Sequence, residues 1–351
     1  MSKLWVAVIV GVIVALALPF WIYLSSPKGG RESLLVARVA LPVVALTHIA
    51  QDKGYFFDEG VDVTFADFTT GREGLDATCA GEYDLAIAFT TPVVHDIVMG
   101  KDLVILTGLH QSPRNTAVVA LVGRSINEPK DLAGKTIGVT TGTSGEFFLD
   151  VLLTDNGLDS NSIVRQPLGI ADAERHLKEG AVDAVVAWNP YLHRIRNEWP
   201  EHELRVFTSQ VYVEMSMVVG LRKTVEDKSE AVARFLRALT RAQEYFAGYA
   251  ADARLAASRQ AKGAAHIEPD SPMWEDFTVS LGLNHVMLLT LDQEADWMRS
   301  RGLSGDTLPD FRHQIVDSYL RTILPDLVTL PLSDERRTRN SRSVHSGGRT
   351  P

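Results

Sequence analysis

Thr140, Thr141, Thr143 and Ser144 crowd around Gly142 and Gly145 in the stretch GVTTGTSGEFFLDVLL, Gly138 to Leu153, which then runs into an apolar segment with helical spacing. Hydroxyls and glycines at a helix start suit the capture of an anion. Free backbone N–H groups and the positive end of the helix dipole attract negative charge there, glycines let a ligand approach, and hydroxyls add donors. Plain capping of the helix by Thr143 or Ser144 is the competing structural account. A phosphate loop does not fit, because the only Gly-Lys-Thr, Gly134 to Thr136, has Pro129 where the first glycine belongs. A nucleophile elbow on Ser144 would need glycine where Glu146 stands, and a dinucleotide fingerprint fails at Thr140. Neither nucleotide binding nor serine hydrolysis is supported.

The other reactive side chains are scattered. His48, His95 and His110 lack HxxxH or HExxH spacing, so no metal site is expected. Cys79 is the single cysteine; it forms no intrachain disulfide or cysteine-based cluster, and before Gly81 it reads as a small core residue. Glu146 and Asp150 lie one turn apart near a helix start, where the dipole stabilises acids, a reading preferred to a catalytic carboxylate pair. Trp188 suits the wall of a binding pocket or a core. Arg72 could pair with an anionic head group or face water, and Arg114 is a weaker candidate of the same kind.

The elements that would position these residues alternate. Leu35–Leu41 reads as a strand, Val44–Lys53 as a helix stopped by Gly54, Val61–Phe65 as a strand, Arg72–Ala80 as a helix stopped by Gly81, and Asp84–Phe89 as a buried strand. The order recurs in Lys135–Val139, Gly145–Thr154, Ile163–Gln166, Ala171–Lys178 and Asp183–Ala187. A local signature recurs with it, Gly81, Asp84, Ala88 and Pro92 matching Gly180, Asp183, Ala187 and Pro190. Two similar α/β lobes with parallel sheets follow. Asn115–Val122 and Val211–Leu221 read as strands that carry the chain between the lobes and form a hinge. Helical segments are expected at Ser229–Leu255, Trp274–Leu281, Asp292–Arg299 and Phe311–Leu320. The division expected is an anchor or uncleaved signal over 1–28, lobe I over 33–116 and 217–330, lobe II over 117–216, and a disordered tail over 331–351.

Composition agrees with a globular body. Of 351 residues 45% are hydrophobic and 23% charged, enough for two core-forming units. A formal net charge of -9 argues against nucleic acid as a partner. Leu4–Leu24 is uncharged and almost wholly apolar, and its roughly 21 residues at about 1.5 Å each suffice to cross a bilayer core of about 30 Å. It reads as a retained N-terminal transmembrane anchor in preference to a cleaved signal, since the apolar run continues past Ala15 and Ala17.

Four stretches carry a resemblance: ALTHIAQDKGYFFDEGVDVTF, TTGREGLDATCAGEYDLAIAFTTP, INEPKDLAGKTIGVTTGTSGEFFLDVLL and LKEGAVDAVVAWNPY. In this order they resemble the extracytoplasmic binding proteins of ABC importers for sulfonates, taurine and nitrate, with their pyrimidine-binding relatives. The resemblance covers about Val36 to Leu221. It implies a type II-like, two-lobed periplasmic-binding-protein fold closing on a small polar or anionic solute, without catalysis or cofactor, and partnership with a permease and its ATPase. A pyrimidine or thiamine-precursor binding protein, or a membrane-anchored solute sensor, is the alternative. By position the resemblance implies ligand contacts at Pro42 and Val43, at Thr69, Thr70, Gly71 and Arg72, and at Phe89, Thr90 and Thr91 in lobe I. In lobe II it implies Thr140, Thr141, Gly142, Thr143, Ser144 and Gly145, then Trp188, Asn189 and Tyr191. Family members often carry an acid where Asn189 stands in this sequence. Some relatives are pyrimidine synthases with a cysteine-rich segment, which a chain holding only Cys79 lacks.

Overall fold

The computed structural model describes residues 31–330, apart from 40, 262, 264 and 265. The expected anchor and tail lie outside the described residues. Among those described, no helix is long and apolar enough to cross a membrane.

The recurring signature has a mechanical explanation. Gly81 and Gly180 adopt positive φ, +85° and +72°, where a side chain is strained, and so turn the chain sharply out of a helix. The aspartate that follows then fastens the next strand to the first one of its lobe. Asp84 accepts from the backbone N–H of Leu35 at 2.8 Å while its own N–H donates to the Leu35 carbonyl at 2.8 Å. Asp183 does the same with Thr136, at 2.9 and 2.8 Å. One aspartate thus sets the register of two parallel strands in each lobe.

The first sheet runs β11-β4-β10-β3-β1-β2, built from β1 (Glu32–Val39), β2 (Val61–Phe68), β3 (Leu85–Phe89), β4 (Leu103–Ser112), β10 (Glu214–Leu221) and β11 (Thr278–Gly282). The second runs β7-β6-β8-β5-β9, from β5 (Thr116–Leu121), β6 (Thr136–Val139), β7 (Val164–Pro167), β8 (Ala184–Trp188) and β9 (Leu204–Phe207). In each sheet β1 or β6 lies between its two parallel partners. Next to them comes an antiparallel strand, β10 or β5, that has just arrived from the other lobe. The repeat therefore extends to topology.

The strands expected to span the hinge do not span it. Thr116 pairs with Trp188 inside the second sheet, and Glu214, Met215 and Ser216 pair with β4 inside the first, so the crossings are the short segments 113–115 and 208–213. Each strand is buried along nearly its whole length, because it completes the sheet it enters. The helix expected at Trp274–Leu281 is a 3-10 turn, Pro272–Glu275, followed by β11, whose alternating burial is that of an edge strand. The long helix from Ser229 breaks at Tyr249 into two, Ser229–Gly248 and Ala250–Gln260. Phe311–Leu320 holds only a 3-10 turn and the start of a short helix, Ser318–Ile323.

The helices that concern the space between the sheets are α1 (Ala45–Asp52), α2 (Gly71–Cys79), α3 (Thr90–Val98), α4 (Ser144–Asp155) and α5 (His285–Ser300). The first four each follow a strand end, after a 3-10 turn in the case of α1. In the sequence α3 is hidden by Pro92, which the first turn of a helix tolerates. Asp84→Ala and Asp183→Ala should each lower stability by about 1–3 kcal/mol, since each strips a charged acceptor from a strand N–H. Urea denaturation measures this, and a neutral result for either would refute the register-setting role.

Candidate functional site

Between the sheets lies a small, nearly closed crevice of about 20 Å³, lined by Val39, Leu41, Thr69, Thr70, Gly71, Arg72, Phe89, Pro92, Thr143, Ser144, Trp188 and Glu214. Its walls come from both lobes. The starts of α2, α3 and α4 converge on it at the carboxyl ends of parallel strands, where open α/β sheets accept ligands.

The helix starts are not alike. α2 is closed by a capping box, Thr70 accepting from the Glu73 N–H while Glu73 accepts from the Thr70 N–H at 3.1 Å. α3 and α4 begin at Phe89 and Thr143 with no side-chain cap. The Thr143 hydroxyl instead donates to the Thr140 carbonyl at 2.7 Å, so side-chain capping is not what the threonine-rich turn performs. Two helices from opposite lobes thus face the crevice with uncapped, positively polarised ends. Gly145 is required by close packing, since a Cβ there would meet the Trp188 ring at 3.0 Å.

Charge in the crevice is unexpected. Arg72 is spent on its own lobe, donating to Asp76 at 2.7 and 3.1 Å and lying 3.1 Å from Asp96. The one carboxylate in the wall, Glu214, is 2% exposed and accepts from Asn115 at 2.6 Å and Thr116 at 2.5 Å. Burial pushes its carboxyl up to about 7, against those two hydrogen bonds. Glu294 on α5, buried and bonded to Thr90, is pushed up by burial to about 8, and repulsion from Glu214 adds to the shift.

The residues proposed from sequence divide into two groups. Thr69, Thr70, Gly71, Arg72, Phe89, Thr143, Ser144 and Trp188 line the crevice. The others lie outside its wall. Pro42 and Val43 are buried in the 3-10 turn before α1, and Thr90 and Thr91 in the first turn of α3. Thr140 donates to the Leu168 carbonyl at 2.9 Å; Thr141 and Gly142 are exposed, and the Gly142 N–H is taken by Glu146 at 2.8 Å. Tyr191 is buried under the Arg194 guanidinium. Asn189 donates across the lobes to Asp276 at 3.0 Å. An acid at 189 would repel Asp276, which accounts for the neutral side chain there. Val39, Leu41, Pro92 and Glu214 were missed. For Glu214 a signal existed: an acid opening an otherwise apolar strand, EMSMVVGL.

Burial pushes the Cys79 thiol up to about 11. Among the described residues no group of three or more His, Cys, Asp or Glu could hold a metal ion.

Two α/β sheets joined by two crossings, with helix starts from both lobes facing one crevice, define the two-lobed periplasmic-binding-protein fold. The NMT1/THI5 like family model matches residues 42–253, and the chain belongs to that family. A formylaminopyrimidine-binding protein of Halalkalibacterium halodurans is 25% identical over 209 residues, 56% of this chain and 61% of that one. The chain spans between 51% and 61% of the length of three curated relatives it matches. Among solved structures, the periplasmic aliphatic sulphonate binding protein SsuA from Escherichia coli matches with a TM-score of 0.67 at 18% identity, covering 83% of this chain and 98% of that one. The alkanesulfonate-binding protein SsuA from Xanthomonas axonopodis pv. citri, bound to MOPS, gives 0.69 at 16%, covering 83% and 100%. At these identities the likeness is one of fold.

Glu214 and Glu294 ionise near pH 4.5 when unfolded but only near 7 and 8 when folded. The folded chain therefore holds more protons between those values, and their contribution to stability falls as pH rises through this window, then levels off. Buried His48 and His110, held below their usual range, offset this below about pH 6.5, so denaturation at a series of pH values should show the decline between about pH 6.5 and 8, each carboxyl adding at most about 1.4 kcal/mol per pH unit. Glu214→Gln and Glu294→Gln should flatten it; an unchanged slope in both variants would contradict the burial argument.

Proposed function

We propose that this chain is the extracytoplasmic solute-binding component of an ABC importer, binding without catalysis a small solute that carries both an acceptor or anionic group and an N–H donor. The observation that carries the reading is the crevice itself, where uncapped starts of α3 and α4 from opposite lobes face each other beside Glu214. The helix starts would take the anionic or acceptor group and Glu214 the donor, while Trp188 and Phe89 wall in the remainder. Taurine, a sulfonate with an amine, fits this description. Nitrate offers Glu214 no donor.

A second reading is favoured by the same carboxylate and by the aromatic wall: an aminopyrimidine, its ring against Trp188 and its amine on Glu214. A relative named for formylaminopyrimidine supports it. On either reading the two sheets are the jaws, residues 116–213 forming the second. Solute contact with both favours the closed form that a permease and its ATPase would recognise. Leu4–Leu24 would hold the body at the outer face of the membrane.

A thermal-shift series on the full chain in mild detergent tests this with taurine, alkanesulfonates, nitrate and aminopyrimidines. A solute at about 100 times its Kd should stabilise the fold by about 2.7 kcal/mol. Taurine or an aminopyrimidine should raise Tm where nitrate does not, and Glu214→Gln should abolish the difference. Binding of nitrate alone, or of no member of the series, would refute the reading.

A further inference from the structure

Behind Phe89 the first sheet carries an unusual row. Ser216 on β10 sits directly opposite Phe89 on one side and His110 on the other, so the three side chains share a face. The His110 ring stands edge-on to both Phe89 and Phe277, with centroids 6.1 and 5.8 Å apart. A second, small chamber of about 40 Å³ lies here, lined by His110, Ser216, Met217, Leu281 and Met287 among others and reaching the surface at Gln111.

His110 is 3% exposed and Ser216 0%, yet both ring nitrogens of the histidine and the serine hydroxyl have no hydrogen-bond partner among the described residues. Buried polar atoms are almost always paired in folded proteins. Three together on one sheet row need a partner that the chain itself does not supply.

The chamber adjoins the crevice. Phe89 belongs to the crevice wall, and so does Glu214, two residues before Ser216 on the same strand and therefore on the same face. We propose that the chamber is an inner subsite of the crevice, taking the uncharged, hydrogen-bonding part of a two-part solute whose polar head rests on the helix starts. This deepens the solute-binding reading and rests on it. The Phe89 ring is the partition between the two spaces, and must turn aside for the inner part of the solute to pass.

The chemistry of the lining names the group. Burial lowers His110 to about 3, so at working pH its ring is neutral, one nitrogen donating and the other accepting. With the Ser216 hydroxyl beside it, the row matches a group that both donates and accepts, such as a phenolic or hydroxymethyl oxygen. Met217, Met287 and Leu281 suit the ring or short alkyl part that carries it. A second charged group is excluded, because no opposite charge lines the chamber.

Phenol is a probe for the chamber alone, and 4-hydroxybenzenesulfonate against methanesulfonate a probe for the joined sites. With histidine ring nitrogens labelled in the full chain, phenol should shift the His110 signals saturably, and Ser216→Ala should weaken that response about tenfold. 4-Hydroxybenzenesulfonate should bind at least about tenfold more tightly than methanesulfonate, an advantage Ser216→Ala removes. Unmoved His110 signals, or equal affinities for the two sulfonates, overturn the proposal. A His110 response to phenol without binding of either sulfonate supports the chamber and counts against the outer crevice as an anion site, so the two failures are distinguishable.

Discussion

Glu214 ties the ends of the two chain crossings together and lines the crevice between the lobes. Its carboxyl takes Asn115 at the end of the first crossing and Thr116 at the start of β5, while its own strand begins directly after the second crossing. Without an acceptor at this point, the Asn115 amide and the Thr116 hydroxyl would be left buried and unpaired where the lobes part company. A carboxylate is a costly choice for such a clip, since no cation faces it. That cost is lowered by protonation, which is why the group is held near neutrality rather than in the usual acid range. The clip and the crevice wall are the same side chain, so the floor of the binding space is fixed to the hinge.

From that fixed floor the helix starts acquire their roles. α2 is sealed by its own capping box, and Arg72 is held by Asp76 and Asp96, so lobe I presents no free cation from that helix. The positive potential of the crevice comes from backbone dipoles at α3 and α4, which cannot move away or pair elsewhere. Beside Glu214, which accepts when ionised and donates when protonated, this makes a dipolar space suited to solutes that carry both kinds of group.

Much of the fold was legible because it repeats. The Gly and Asp pairs at 81/84 and 180/183 recur for one mechanical reason, and periodicity did the rest for strands that alternate with helices. The crossings were misplaced because β5 and β10 are apolar along their length, and an apolar run does not reveal which sheet it joins. β11 reads as helical in the sequence because five residues are too few to separate periods of 2 and 3.6. At the site, residues at strand ends were found where the backbone itself forms the wall. Side-chain partners that lie far off in sequence were not legible: Asn189 with Asp276, Thr90 with Glu294, and Glu214 with Asn115 and Thr116.

Contacts between the lobes are present without any solute. Asp150 on α4 is 3% exposed and accepts from Trp297 of α5 at 2.8 Å and from Arg301, while Phe147 packs against the Trp297 ring at 5.2 Å. α5 also bears Glu294, bonded to Thr90 at the start of α3. One helix therefore braces both of the uncapped helices that face the crevice, holding their starts opposite each other. A solute shifts the balance between open and closed forms only by its difference in affinity for the two, and bonds already joining the lobes reduce the difference it must supply. The same bonds act without regard to what occupies the crevice. On the proposed reading, discrimination between solutes then rests on groups that no lobe-to-lobe contact satisfies; among the described residues these include the N–H ends of α3 and α4, the Trp188 indole N–H and the unpaired row behind Phe89.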